Sequence, residues 1–338
     1  MRPVAPPVET SELARALAPL LGPGLGNARK RFALLDRRPL EYHSTFPLEE
    51  LVVRLADGTE LPLVFKDMSR PGSADPAWRV KAPFLHDPLR EIDTYREVLA
   101  PNEISAPQCL GVVVDARCGR YWLFLEKIDG VALWQIGDMG IWRRVAEWLA
   151  ALHARFAGRT GTLPARLLAC DAGYYCRWLD RARAFVRWPE TSAADARGFE
   201  WLERRYLGAV DWVVEQPTTF LHGEFYPSNI LVEQLDAGAR VRPVDWEMAA
   251  IGPGVLDLAA LTSGGWGESD RQALAQSYRA ALPDSLRPTP SALDAALERC
   301  RLLIAVQWLG WSAGWTPPAQ HSHDWLREAL DLAERVGP

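Results

Sequence analysis

Between two short apolar runs, Thr219-Phe220-Leu221 and Ile230-Leu231-Val232, the chain reads HGEFYPSN, which sets His222, Glu224 and Asn229 at fixed intervals. Two strand-like segments then follow, 230–233 and 241–244, separated by the turn-forming Asp236-Ala237-Gly238, and the acid Asp245 comes directly after them. The local fold is sharply restricted. A strand ending at Leu221 delivers a loop, and a hairpin carries the chain back so that Asp245 returns toward Asn229. A carboxylate, an amide oxygen and a second carboxylate converging in this way suit a divalent cation with phosphate oxygens, because Mg2+ takes oxygen ligands. Phosphoryl transfer needs such a set: one acid near the acceptor hydroxyl, and Asn and Asp on the metal.

The periodicities on either side divide the chain. Strand-like patterns mark 49–56 and 61–67, joined by the hairpin signal Asp57-Gly58, and further apolar runs cover 109–114 and 121–128. Asp87-Pro88 opens a helix continuing through 91–99, which Pro101 stops. A Pro-rich lead and a helix over 10–21, ended by glycines at 22, 24 and 26, precede these strands. Beyond Gly130, helical spacing dominates over 141–156, 173–186, 194–214, 270–282, 291–311 and 324–336. The expected class is α+β, with an N-terminal extension at 1–36, a small β-rich lobe at 37–128 and a larger, mainly helical lobe at 129–338.

Composition narrows the partners. The net charge of −5 is spread along the chain without a basic stripe, so nucleic acid is not an expected partner. No apolar run approaches the roughly 18 residues of a membrane helix, and the first residues lack a signal peptide's apolar segment. The five cysteines form no CxxC pair, which fits reduced thiols and an expected cytoplasmic location. GPGLGN at 22–27 follows no strand and is not a dinucleotide fingerprint. His321, His323 and Asp324 resemble a metal tract, yet Asp324 opens a helix, where it suits an N-cap. Trp308, Trp311 and Trp315 share one helical face, the pattern of a core stripe. Only four of the 38 basic residues are Lys (Lys30, Lys66, Lys81 and Lys127), so each marks a place where a compact ammonium is a candidate requirement.

HGEFYPSN, VDWE and GPGVLDLAAL, in this order, resemble the aminoglycoside phosphotransferase and choline kinase family of the bilobal, protein-kinase-like fold, which carries H-G-D-x-x-x-x-N at the loop. The resemblance extends to Lys66 in LPLVFKDM, Glu91 in REIDTYREVL, and YWLFLEKIDG. It implies ATP and Mg2+ as cofactors and a small-molecule alcohol as acceptor. Lys66, set by Glu91, would hold nucleotide phosphates, and the backbone around Glu126, Lys127 and Ile128 would meet the adenine. Asn229 and Asp245 would hold Mg2+, Glu224 would stand where the catalytic Asp stands, His222 would brace the loop, and Asp257 would support it from below.

Two features depart from the family pattern. Glu224 replaces Asp; the extra methylene moves the carboxylate by about an ångström, a displacement that costs on the order of 10²-fold in rate unless the acceptor sits correspondingly further away. The Gly-rich phosphate loop is replaced by EYHSTFPLEE, in which Ser44 and Thr45 would supply donors. These departures keep two alternatives open: a nucleotide-binding pseudokinase scaffold, and a kinase-fold enzyme that transfers AMP. The acceptor is also open among antibiotic, sugar, amino alcohol and other natural product. Residues 161–220 hold eight Arg against eight Asp plus Glu, which gives no support to a strongly cationic one.

Overall fold

The computed structural model describes residues 8–20, 32–40, 46–55, 58–69, 81–186, 193–235, 238–312 and 323–336. The chain forms two compact units, Met1–Asp129 and Gly130–Pro338.

The first unit is built on an antiparallel sheet of β1 (Phe32–Pro39), β2 (Leu48–Leu55), β3 (Glu60–Asp67), β4 (Cys109–Asp115) and β5 (Arg120–Glu126), ordered β1-β2-β3-β5-β4. Side chains two apart share a face. Leu51, Val53 and Leu55, with Leu63 and Phe65 and with Trp122 and Phe124, form one core together with Leu13 and Leu17 of helix α1 (Thr10–Leu20). Phe65 stacks on Phe124 at 5.2 Å and meets the edge of Trp122 at 5.6 Å. Lys66, one residue on, belongs to the opposite face.

The division expected at 36/37 falls inside β1, and α1 buries Leu13 and Leu17 in the sheet's core. The described part of 1–36 is therefore integral to this unit. Arg37-Arg38-Pro39 disguises the strand as surface coil, but Arg37 lies half-buried in a two-pronged pair with Glu49 of β2, at 2.7 and 2.8 Å. The β2–β3 turn closes through Gly58 at φ +84°, with the Leu55 N–H donating to the Thr59 carbonyl at 2.8 Å; Asp57 lies outside the described residues. Helix α2 (Pro88–Asp93) starts at Asp87, whose Oδ1 accepts from the Leu89 N–H at 3.0 Å. Its continuation, Thr94–Leu99, widens to i→i+5 bonding, as in Ala100 N–H to the Tyr95 carbonyl at 3.1 Å. Such wide turns concentrate at functional sites, and this one follows Glu91 closely.

The second unit contains β6 (Val131–Ala132), α3 (Met139–Phe156), β7 (Leu168–Ala169), α4 (Ala172–Val186), α5 (Ala193–Val214) and β8 (Thr218–Leu221). It continues with β9 (Ile230–Leu235), β10 (Gly238–Pro243), β11 (Ala250–Pro253), α6 (Val255–Leu261), α7 (Glu268–Ala281), α8 (Pro290–Ser312) and α9 (Trp325–Arg335). Two small sheets, β10-β9-β6 and β7-β11-β8, lie among these helices. Helix α3 buries Trp142, Val145, Leu149, Leu152 and Phe156, the face its spacing predicts. Among the described residues no helix is long and apolar enough to cross a membrane.

Candidate active site

Strand β8 pairs antiparallel with β11, and its last residue, Leu221, hands the chain to His222. The loop is then shaped by short-range bonds. The Glu224 N–H donates to His222 Nδ1 at 3.3 Å, and His222 Nε2 lies 2.9 Å from the Val244 carbonyl. A carbonyl only accepts, so Nε2 carries the proton and the tautomer is fixed. The Glu224 carbonyl accepts from the Tyr226 N–H at 2.7 Å and from Asn229 Nδ2 at 3.0 Å. That second bond fixes the Asn229 amide and sets which way its Oδ1 is turned.

The β9–β10 hairpin does what its sequence predicts. Pro243 pairs with Ile230, and the Val244 N–H donates to the Asn229 carbonyl at 2.8 Å, so Asp245 emerges beside Asn229. Of the expected turn, Asp236 and Ala237 lie outside the described residues. Asp245 sits in the left-handed region (φ 62°, ψ 67°), a conformation that non-glycine residues seldom hold, with Asn and Asp the commonest exceptions. Such strain clusters at functional sites. The two oxygen-bearing side chains, Asn229 and Asp245, fit Mg2+, which is commonly held by one or two protein oxygens with water and phosphate completing the shell. No group of three or more His, Cys, Asp or Glu side chains occurs among the described residues to suit a metal held by protein alone.

Beneath the loop, Asp257 of α6 is 1% exposed. Its Oδ2 accepts from the His222 N–H at 2.7 Å and its Oδ1 from the Gly223 N–H at 3.0 Å. His153 Nε2 approaches Oδ2 at 3.4 Å, while His153 Nδ1 lies 2.9 Å from the Tyr278 hydroxyl. Gly223 permits this seat. Its φ is +86°, and a Cβ there would lie 2.0 Å from the Met248 carbonyl oxygen. Gly223→Ala is expected to destabilise the protein by roughly 3 kcal/mol, combining backbone strain of about 1 with overpacking of about 2. Urea unfolding checks this, and an unchanged midpoint would show the loop to be looser than its contacts imply.

Aromatic side chains crowd the acid. Burial first, and the Glu224 carboxylate second, push the Tyr226 phenol above its ordinary pKa. Tyr174 is raised likewise, chiefly by burial, with Glu224 a smaller cause. Trp308 Nε1 donates to the Tyr226 hydroxyl at 3.0 Å, and the Trp308 ring stacks on Trp325 at 5.5 Å. The Tyr174 hydroxyl donates to Gln307 Oε1 at 3.4 Å. The tryptophan stripe is thus split: Trp311 packs on Trp178 at 5.5 Å, Trp308 joins the loop, and Trp315 lies outside the described residues. Sequence periodicity missed the contribution of Tyr174 and Gln307, because only tertiary packing brings α4 and α8 to the loop that carries Tyr226. In the HSHD stretch His321 lies outside the described residues, His323 bonds to Glu328, and Asp324 caps α9 by accepting from the Arg327 N–H at 2.9 Å.

The first unit carries the other expected residues. Lys66 Nζ lies 2.7 Å from Glu91 Oε2, with the two side chains 3% and 1% exposed. Lys127 pairs with Glu50 at 2.6 Å, so its side chain is turned to the sheet, while Glu126 Oε2 accepts from the Gln108 N–H at 2.9 Å. Ile128 is buried, leaving backbone as what this segment can offer a base. Ser44 and Thr45 lie outside the described residues. Phe46, next in the chain, is buried, and two lysines lie over its ring: Lys66 at 5.8 Å and Lys81 at 4.9 Å from the centroid. Lys81 was legible only as one of four lysines.

The fold matches solved kinases. A choline kinase from Cryptosporidium parvum Iowa II is 18% identical, with 97% of this chain and 94% of that one covered at a TM-score of 0.60. A microcompartment-associated aminopropanol kinase is 15% identical, with 96% and 95% covered and a TM-score of 0.58. A mutant aminoglycoside 2'-phosphotransferase-IIIa in its GDP complex is 12% identical, with 97% of each chain covered and a TM-score of 0.60. At these identities the likeness establishes the expected α+β, kinase-like fold. No curated protein matches the sequence. The model of the phosphotransferase enzyme family matches residues 47–294, a span that includes Lys66, Glu91, the 222–229 loop, Asp245 and Asp257. The chain therefore belongs to the phosphotransferase enzyme family.

Proposed function

We propose that this enzyme transfers the terminal phosphoryl group of ATP, with Mg2+, to a hydroxyl group of a small molecule. The observation that carries the reading is the placement of Asn229 and Asp245 side by side, on a loop that also presents Glu224. Mg2+, when bound, neutralises charge on the phosphates. Asn229 and Asp245 would hold it, and Lys66, oriented by Glu91, would bind phosphate oxygens as a point charge. Glu224 would orient the acceptor hydroxyl and accept its proton. Asp257, through the His222 and Gly223 N–H groups, would keep that acid in position.

On the acceptor side, Tyr174, Tyr226, Trp308 and Gln307 offer ring faces and neutral hydrogen-bonding groups near the Glu224 carboxylate. Acceptors of amino-alcohol, sugar or aromatic type fit such a wall better than a polycation, which calls for several carboxylates. The names of the choline and aminopropanol kinases among the structural relatives support an alcohol acceptor. The direct test is incubation with Mg·ATP and a metabolite extract, with and without enzyme, followed by mass spectrometry. New species heavier by one phosphate group are expected; species heavier by a nucleotide would instead identify AMP transfer, and ATP binding without any new species would favour the pseudokinase.

Glu224 in place of Asp is the observation that favours the pseudokinase scaffold. Glu224→Asp separates the two readings. In a site built around Glu, the shortened side chain lowers turnover on the order of 10²-fold at unchanged ATP affinity. A gain in turnover would mark Glu224 as a crippled base.

A further inference from the structure

We infer that the second unit carries a further small-molecule site: a cavity that takes a small neutral alcohol and, through Asp257, stiffens the 222–229 loop. The cavity measures about 210 Å³ and lies among α3, the end of α5, β8, the start of α6, α7 and α8. Its wall is mostly apolar, with Trp212, Val255, Leu282, Leu293 and Ala296 contributing. An apolar cavity of about 150 Å³ accommodates benzene, so this one has room for a substituted ring. Among the described residues no Asp, Glu, Lys or Arg lines it, and a charged ligand would enter without a counter-charge. Leu286, 38% exposed, and the exposed Ala292 mark its mouth. None of its lining belongs to the 222–229 loop or to the wall of Tyr174, Gln307 and Trp308.

One polar pair is set in this wall. His153 Nε2 faces the Asp257 carboxylate at 3.4 Å, and a carboxylate only accepts, so neutral His153 carries its proton there. Its Nδ1 then accepts from the Tyr278 hydroxyl at 2.9 Å. The Tyr278 oxygen retains the capacity to accept one further hydrogen bond, which a ligand hydroxyl supplies. Gly254, also in the wall, makes room beside the pair: a Cβ there would lie 2.6 Å from His153 Nδ1 and 3.0 Å from the Tyr278 oxygen. The Asp257 carboxylate that His153 approaches holds the His222 and Gly223 N–H groups at 2.7 and 3.0 Å. Tyr278, His153 and Asp257 thus form a hydrogen-bonded chain from the cavity to the loop, and a ligand on Tyr278 favours the state in which that chain is closed.

The test is a fluorine NMR titration of the full chain with 4-fluorophenol and with 4-fluorotoluene, without nucleotide or acceptor. Both are expected to bind, the phenol about tenfold more tightly through its bond to Tyr278. Ala292→Trp at the mouth and Ala296→Phe in the interior are each expected to weaken both ligands by about tenfold or more, because close-packed walls leave no second way in. Tyr278→Phe is expected to abolish the preference for the phenol. With 4-fluorophenol at about ten times its Kd, hydrogen exchange of the His222 and Gly223 amides is expected to slow by about tenfold, while the β3 amides of the first unit keep their rates. Absence of binding overturns the site, and so does affinity unchanged in Ala292→Trp, a variant at an exposed position whose fold the urea midpoint checks. A phenol preference that survives Tyr278→Phe overturns the assigned alcohol contact. Unaltered exchange of the two loop amides, or equal slowing in both units, overturns the link to the loop. Neither ATP nor acceptor enters these measurements, so a failure of the phosphotransfer reading would leave their outcome unchanged.

Discussion

Asp245→Asn is expected to lower phosphoryl transfer by about 10³-fold, the equivalent of about 4 kcal/mol in the barrier, while the urea unfolding midpoint stays that of the parent. Asn is nearly isosteric with Asp and is one of the few residue types that tolerate the left-handed conformation found here (φ 62°). The hairpin register and the Val244–Asn229 backbone bond do not involve the side chain, so the change removes the charge and leaves both in place. Ala would be a poorer probe, because it would add backbone strain to the loss of charge. The independent measurement is ATP affinity in Mg2+ and in EDTA. The parent is expected to bind more tightly with the metal, and the variant to lose that difference. Retention of both turnover and metal dependence would remove Asp245 from the metal site.

Asp257→Ala is expected to cost about 4 kcal/mol of stability and, separately, on the order of 10²-fold in turnover. The stability loss follows from the two backbone N–H groups left unpaired in a buried place, each costing about 1–3 kcal/mol. The kinetic loss follows from a shift of about 1 Å in the 222–224 segment that these bonds hold. The two effects separate in a stabilising osmolyte such as TMAO, which favours burial generally. If instability were the whole defect, TMAO would restore full turnover of the variant. A persistent deficit in fully folded protein is the expected result.

The fold class was readable from periodicity because local and tertiary preferences agree along most of the chain. Helices over 141–156 and 173–186 and the 230–244 hairpin fall where their patterns place them, each within a few residues. Strand β1 was not readable. Its charged half, Arg37-Arg38, imitates coil, and the strand is set by its antiparallel ladder with β2, from Phe32 opposite Leu55 to Pro39 opposite Glu49. At the site, the loop residues were legible because HGEFYPSN and Asp245 are close in sequence. What escaped notice was assembled over long separations: Trp308 on Tyr226, Gln307 on Tyr174, and Lys81 on Phe46. None of these pairs leaves a period or a motif, so no local rule reports it.

The bonds that shape the 222–229 loop run through main-chain atoms and the side chains of His222, Asn229 and Asp257. The acid at 224 contributes its N–H and its carbonyl to that frame, two groups that aspartate has as well. Natural drift or laboratory selection could thus change the reach of the acid by one carbon without refolding the frame. Gly223, one residue earlier, has no such latitude. The expected signature in a saturation library is a steep contrast between neighbours: aspartate retained in folded protein at 224, and almost no substitution at 223.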